Sequence, residues 1–172
     1  MNNPSIGTWL SLPNESIAEI FSNAGYEWVV IDLEHSSINI SQAEGLIRTI
    51  DLAGSKPFVR LSGHDPSQIK RVLDAGAKGI LAPMVENTQQ IRTVIDACHY
   101  PPIGNRGMGL ARAQGYGAEK QKNHYIQNGC SEIEIFAQIE SVEAVKNVTS
   151  IFSEAIDGCL LYTSPSPRDS DS

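Results

Sequence analysis

Apolar residues along the chain fall into two alternating patterns. Short, nearly unbroken apolar runs occupy residues 6–12, 28–33, 57–61, 79–85, 133–139 and 156–161, and each reads as a strand. The run 28–33 (WVVIDL) is rich in β-branched residues, which suits a strand buried on both faces. Between the runs, apolar positions recur at helical spacing. Ile17, Ile20, Phe21 and Ala24 share one helix face, as do Ile91, Val94, Ile95 and Cys98. Ser16 with Glu19 and Ser41 with Glu44 predict capping boxes, Asp65-Pro66 and Asn87 predict helix starts, and Gly25, Gly54 and Gly76 predict stops. A further helix is predicted over 141–152. The stretch from 100 to 131 holds two prolines and six glycines and reads as a long functional loop, with a short helix within 118–127. Five βα repeats and a sixth strand argue for a parallel α/β sheet. The alternation alone does not separate a closed barrel from an open doubly wound sheet.

Composition narrows the classes. The chain has 172 residues, a net charge of −7 and no basic cluster, which disfavours nucleic acid as a partner. No run of about 18 apolar residues predicts a membrane span, and residues 1–4 show no secretory signal. Cys98, Cys130 and Cys159 are odd in number and far apart, which predicts a reducing, cytoplasmic setting without disulfides or structural zinc. The length predicts one domain over 1–161. It is short for a complete (β/α)8 barrel of about 250 residues. Residues 162–172 (YTSPSPRDSDS) carry no apolar periodicity and read as a disordered, non-native tail joined to a coding sequence cut short.

In parallel α/β folds, ligands meet the carboxyl ends of the strands. Those positions hold Asp32-Leu33-Glu34-His35 after the second strand, Arg60 on the third, Pro83-Met84-Val85-Glu86 after the fourth and Gln138-Ile139-Glu140 on the fifth. Arg60 stands in an apolar strand, where a guanidinium needs an anion or several acceptors. Taken together, these groups suit a site for a carboxylate or enolate beside a metal. His64, His99 and His124 lack metal-ligand spacing and read as surface or loop residues. Met84 reads as packing, Trp9 and Trp28 as core, and the glycine-rich run 104–117 as an active-site loop that brings Arg106 near substrate.

These residues resemble a known family. The segments 7–12 (GTWLSL) and 25–35 (GYEWVVIDLEH), then Val59-Arg60, 65–70 (DPSQIK), Leu73-Asp74-Ala75-Gly76, 81–85 (LAPMV), Tyr100-Pro101-Pro102 with Arg106-Gly107, and Gln138-Ile139-Glu140 are similar to the metal-dependent, pyruvate-specific class II aldolases, within the citrate lyase-related group. The resemblance covers residues 6–158. It implies a (β/α)8 TIM barrel, here incomplete, and reversible cleavage of 4-hydroxy-2-oxo acids to pyruvate and an aldehyde. It implies His35 as general base, Arg60 as stabiliser of the pyruvate enolate and Asp74 as the acid that raises the basicity of His35. It also implies Gln138 as a substrate contact and Glu140 as ligand of a divalent metal (Mg2+, Mn2+ or Co2+). The partners implied are small keto acids and aldehydes, with a homo-oligomeric parent enzyme. Two alternatives stand beside this: a citrate lyase β-like CoA-ester lyase, and a non-catalytic remnant of the fold.

Two departures follow. Asp74 falls at the end of the third helix, away from the strand ends that carry His35, so Asp32 is the local alternative for orienting the imidazole. After 155–158 (AIDG) the family's Gly-Pro-x-Asp-Leu element is absent, as are strands seven and eight. An open barrel and a metal held by one carboxylate predict low stability and little aldolase activity for these residues alone.

Overall fold

A computed structural model describes residues 4–129 and 132–161; Cys130 and the tail read at 162–172 lie outside the described residues. Six strands follow one another in space in the order of the sequence: β1 (Gly7–Leu10), β2 (Trp28–Asp32), β3 (Lys56–Arg60), β4 (Gly79–Ala82), β5 (Glu134–Ile139) and β6 (Gly158–Leu161). Every pairing is parallel. Helices α1 (Glu15–Asn23), α2 (Ile40–Leu52), α3 (Pro66–Ala75) and α4 (Thr88–Cys98) make the first crossovers. Two five-residue helices, α6 (Val142–Lys146) and α7 (Val148–Phe152), lead into β6. The result is an incomplete (β/α) barrel, a curled sheet with helices on its convex side.

The larger apolar core lies between that convex side and the helices. There Val29, Ile31, Val59, Ile80, Ile135 and Ile139 meet Leu46, Ile47, Ile69, Leu73, Ile91 and Ile151. Each such side chain, fully buried, contributes about 1.5–3 kcal/mol. The concave side has a smaller cluster, Val30, Phe58 and Leu81, with Trp9, Trp28, Phe136 and Leu160 partly buried against it. Register explains the tight fit of its rings. Gly7 pairs with Trp28 and Phe58 with Gly79, and a Cβ at Gly7 would fall 1.9 Å from the Trp28 ring, one at Gly79 2.6 Å from Phe58. Small and large residues thus alternate across the inner layer, as in other barrels. Beside these rings lies a cavity of about 540 Å³.

Several boundaries differ from the sequence reading. Asn14 caps α1 and Asn39 caps α2, the latter in a reciprocal box with Gln42, where Ser16 and Ser41 were expected. Asp65 and Asn87 cap α3 and α4 as expected, and Gly76 ends α3 at φ 107°, a left-handed position that favours glycine. The helix expected over 141–152 is divided at Asn147, whose side chain donates to the Glu86 carbonyl at 2.9 Å. The long loop holds a 3-10 segment (Arg112–Gly117), α5 (Glu119–His124) and a π-turn (Tyr125–Gly129). Cys98 is buried and Cys159 partly buried. No helix among the described residues is long and apolar enough to cross a membrane.

Candidate active site

Parallel register places the last residues of β2 and β3 side by side: Asp32 pairs with Arg60. Both side chains belong to the concave face and both are buried. Arg60 Nε and Nη2 donate to the two oxygens of Asp32 at 2.9 and 2.6 Å, a bidentate fork. Its Nη1 lies 3.3 Å from Glu34 Oε2, and its plane rests 4.6 Å from the centroid of Trp9. Asp32 Oδ1 also accepts from the backbone N–H groups of Glu34 and His35 at 3.0 and 3.1 Å. Burial raises the Asp32 pKa, but the hydrogen bonds from Arg60, His35 and Glu34 outweigh it and hold the carboxyl below its usual range. Asp32 therefore orients the backbone of His35. The carboxylate near the imidazole is that of Glu34, 3.7 Å from Nε2.

Glu34 behaves in the opposite way. Burial pushes its carboxyl above the usual range, Arg60 and His35 oppose that, and the charge of Glu140 adds to it. Glu140 thus acts on the same small volume from the end of β5. Its two oxygens are held by different donors: Gln138 Nε2 reaches Oε1, and the Met84 N–H donates to Oε2 at 3.0 Å. A carboxylate only accepts, so the Gln138 amide nitrogen faces Glu140 and its oxygen points away. That oxygen, Gln138 Oε1, is buried without a hydrogen-bond partner, as is Glu34 Oε2. Met84 is half exposed at φ 51°, where a packing role was expected. His64 Nε2 lies 2.6 Å from the Pro83 carbonyl, at the same end of the sheet.

The structure thus brings His35, Arg60, Gln138 and Glu140 to the carboxyl ends of β2, β3 and β5, at one edge of the sheet. It does not bring Asp74 to them. Asp74 stands in the last turn of α3, and helices that follow parallel strands end at the opposite edge of the sheet. There it pairs with Arg106 Nη2 at 2.6 Å and accepts from Gln114 at 3.3 Å. Arg106, expected near substrate, is buried in that cluster, with Tyr125 Oη at 3.0 Å and the ring of Tyr100 beneath it. Sequence reasoning missed the parts of Met84 and His64. The only available signal was their position just past strand ends.

Comparison with known proteins identifies the family. A family model described as HpcH/HpaI aldolase/citrate lyase matches residues 5–162. The chain belongs to the HpcH/HpaI aldolase/citrate lyase family. It is 38% identical over 159 residues to a 4-hydroxy-2-oxo-heptane-1,7-dioate aldolase of Salmonella heidelberg (strain SL476), covering 92% of this chain and 60% of that protein. A crystal structure of a family protein from Burkholderia cenocepacia J2315 superposes with a TM-score of 0.86 at 31% identity, covering 92% of this chain and 63% of that one. The HpcH/HpaI aldolase from Desulfitobacterium hafniense DCB-2 gives 0.82 at 30%, covering 92% and 61%. The chain therefore spans about 60% of the length of these family members.

The donor chemistry fits an oxygen-seeking divalent cation. Asp32 and Glu34 pair with one guanidinium, and the carboxylate of Glu140 and the buried, unbonded Gln138 oxygen are hard donors. The set is incomplete: among the described residues, no three His, Cys, Asp or Glu side chains converge as a metal-holding group.

Proposed function

We propose that this chain carries the enolate-forming part of a class II aldolase that reversibly cleaves 4-hydroxy-2-oxo acids to pyruvate and an aldehyde. The supporting observation is the buried Arg60 guanidinium, locked by Asp32 at the strand tips beside Glu34, Gln138 and Glu140. A cation already fixed in place stabilises an enolate oxygen without reorganising as the charge develops. His35, exposed at the rim, takes the proton of the substrate hydroxyl, a task suited to a neutral imidazole near working pH. Glu34 then faces the imidazolium that results. Gln138 contacts the substrate, and Glu140 holds Mg2+, Mn2+ or Co2+. When bound, such a cation supplies Lewis acidity to the keto acid's carbonyl oxygen. Asp74 acts on His35 only across a subunit boundary, so this reading includes a homo-oligomeric parent enzyme.

The test is exchange of pyruvate methyl protons for deuterium, followed by NMR with Mg2+ supplied. Exchange is expected to require the cation and to fall about a hundredfold or more in Arg60→Ala. With the sheet open, its rate should remain far below that of full-length relatives. Exchange that survives both chelation and Arg60→Ala overturns the proposal. So does its absence from the folded chain with any of the three cations.

A further inference from the structure

One peptide group joins two side chains from different loops. The carbonyl of Pro83 lies 2.6 Å from His64 Nε2, and the N–H of the next residue, Met84, donates to Glu140 Oε2 at 3.0 Å. A carbonyl has no hydrogen to give, so His64 Nε2 carries the proton and donates it. Hydrogen bonds at the two ends of one amide polarise it in the same sense, and each strengthens the other. The direction of this amide is not a relaxed one. Met84 sits at φ 51°, where a residue with a side chain is strained, and its own side chain is half exposed. The peptide is held from outside, by His64 on one end and Glu140 on the other.

We infer that His64 is a positioning residue for Glu140. By gripping the Pro83 carbonyl it aims the Met84 N–H at one carboxylate oxygen, while Gln138 holds the other. Each oxygen keeps a further lone pair, so the carboxylate is oriented but not exhausted. The inference rests on the proposed function where it gives Glu140 a cation to face. A simple loop staple would fix the β3–α3 and β4–α4 connections to each other and leave the carboxylate unaffected.

Two measurements on the 172-residue chain separate these cases. One is the Met84 amide resonance in the metal-free protein; the other is binding of Mn2+ alone, read from the electron paramagnetic resonance of the free ion. His64→Phe keeps a ring without the N–H, and His64→Gln offers an amide N–H at similar reach. His64→Phe should move the Met84 amide in the direction seen for Glu140→Gln and weaken Mn2+ binding about tenfold or more. His64→Gln should restore the amide position and bring the Kd to within about threefold of wild type. Should His64→Phe fail to fold, His64→Ala takes its place in both readouts. A Met84 amide unmoved by loss of the His64 donor overturns the inference, whether or not Mn2+ binds. A Met84 amide that moves in a chain with no affinity for Mn2+ upholds the link from His64 and removes the cation from the proposed function.

Discussion

Arg60 and Asp32 define the residue scale, because burial makes their pairing obligatory. Neither can be left alone in the inner layer: breaking a buried ion pair costs about 3–5 kcal/mol. Asp32→Asn is expected to lower stability by about that amount at neutral pH, measured by denaturant unfolding. The pH dependence has a definite sign. The folded-state pKa of Asp32 is depressed, so its contribution is complete above the unfolded value of about 3.9 and disappears as pH falls through the folded value. Glu34, with its pKa raised, works the other way and adds relative stability as pH falls through its folded pKa. In Asp32→Asn the loss below about pH 4 should flatten, leaving the Glu34 trend. That Arg60 needed an anion was legible in the sequence, since a guanidinium stood in an apolar strand. Which acid would answer was not, because the choice depends on the β2–β3 register. The bridge from His64 through Pro83 and Met84 to Glu140 was illegible for the same reason: its partners meet only after three strands have paired.

Among the elements, those with strong local chemistry were legible. The apolar run of β2, the Asp65-Pro66 start of α3 and its Gly76 stop all appear where the pattern places them. The caps of α1 and α2 were misplaced by two residues. Asn14 and Ser16 are both good caps, and only the backbone decides: Asn14 is extended and its Oδ1 accepts from Ser16 and Ile17. Asn14→Ala should therefore cost about 1 kcal/mol of stability and Ser16→Ala less than about 0.5, a difference readable in thermal unfolding. Where the long loop docks within the chain was not legible, for a different reason. Its glycine-rich run suggested an active-site loop that brings Arg106 near substrate. Its buried residues, Arg106 and Gln114, instead tie it to Asp74 and Tyr100, at the helix C-terminal edge of the sheet. Such long-range polar contacts leave no periodic trace.

At the scale of the whole molecule, the incomplete barrel leaves β1 and β6 each paired on one side among the described residues. The concave side keeps only partial cover over Trp9, Trp28, Phe136 and Leu160. Leu161, at the end of β6, is 63% exposed. An apolar strand with a free edge is a template for another chain. Concentration-dependent association is expected in light scattering, and Leu161→Lys should reduce it; an unchanged profile would show that the β6 edge is not the contact. The parallel βα order was legible from alternation alone, whereas closure was not, because a barrel and an open sheet share that alternation until strand tilt and register are known.

The strand order β1 through β6 repeats the order of synthesis. Each strand emerging from a ribosome finds its neighbour already made, one crossover earlier, and no later segment must thread between existing partners. The outer core can grow by one βα unit at a time as the nascent chain lengthens.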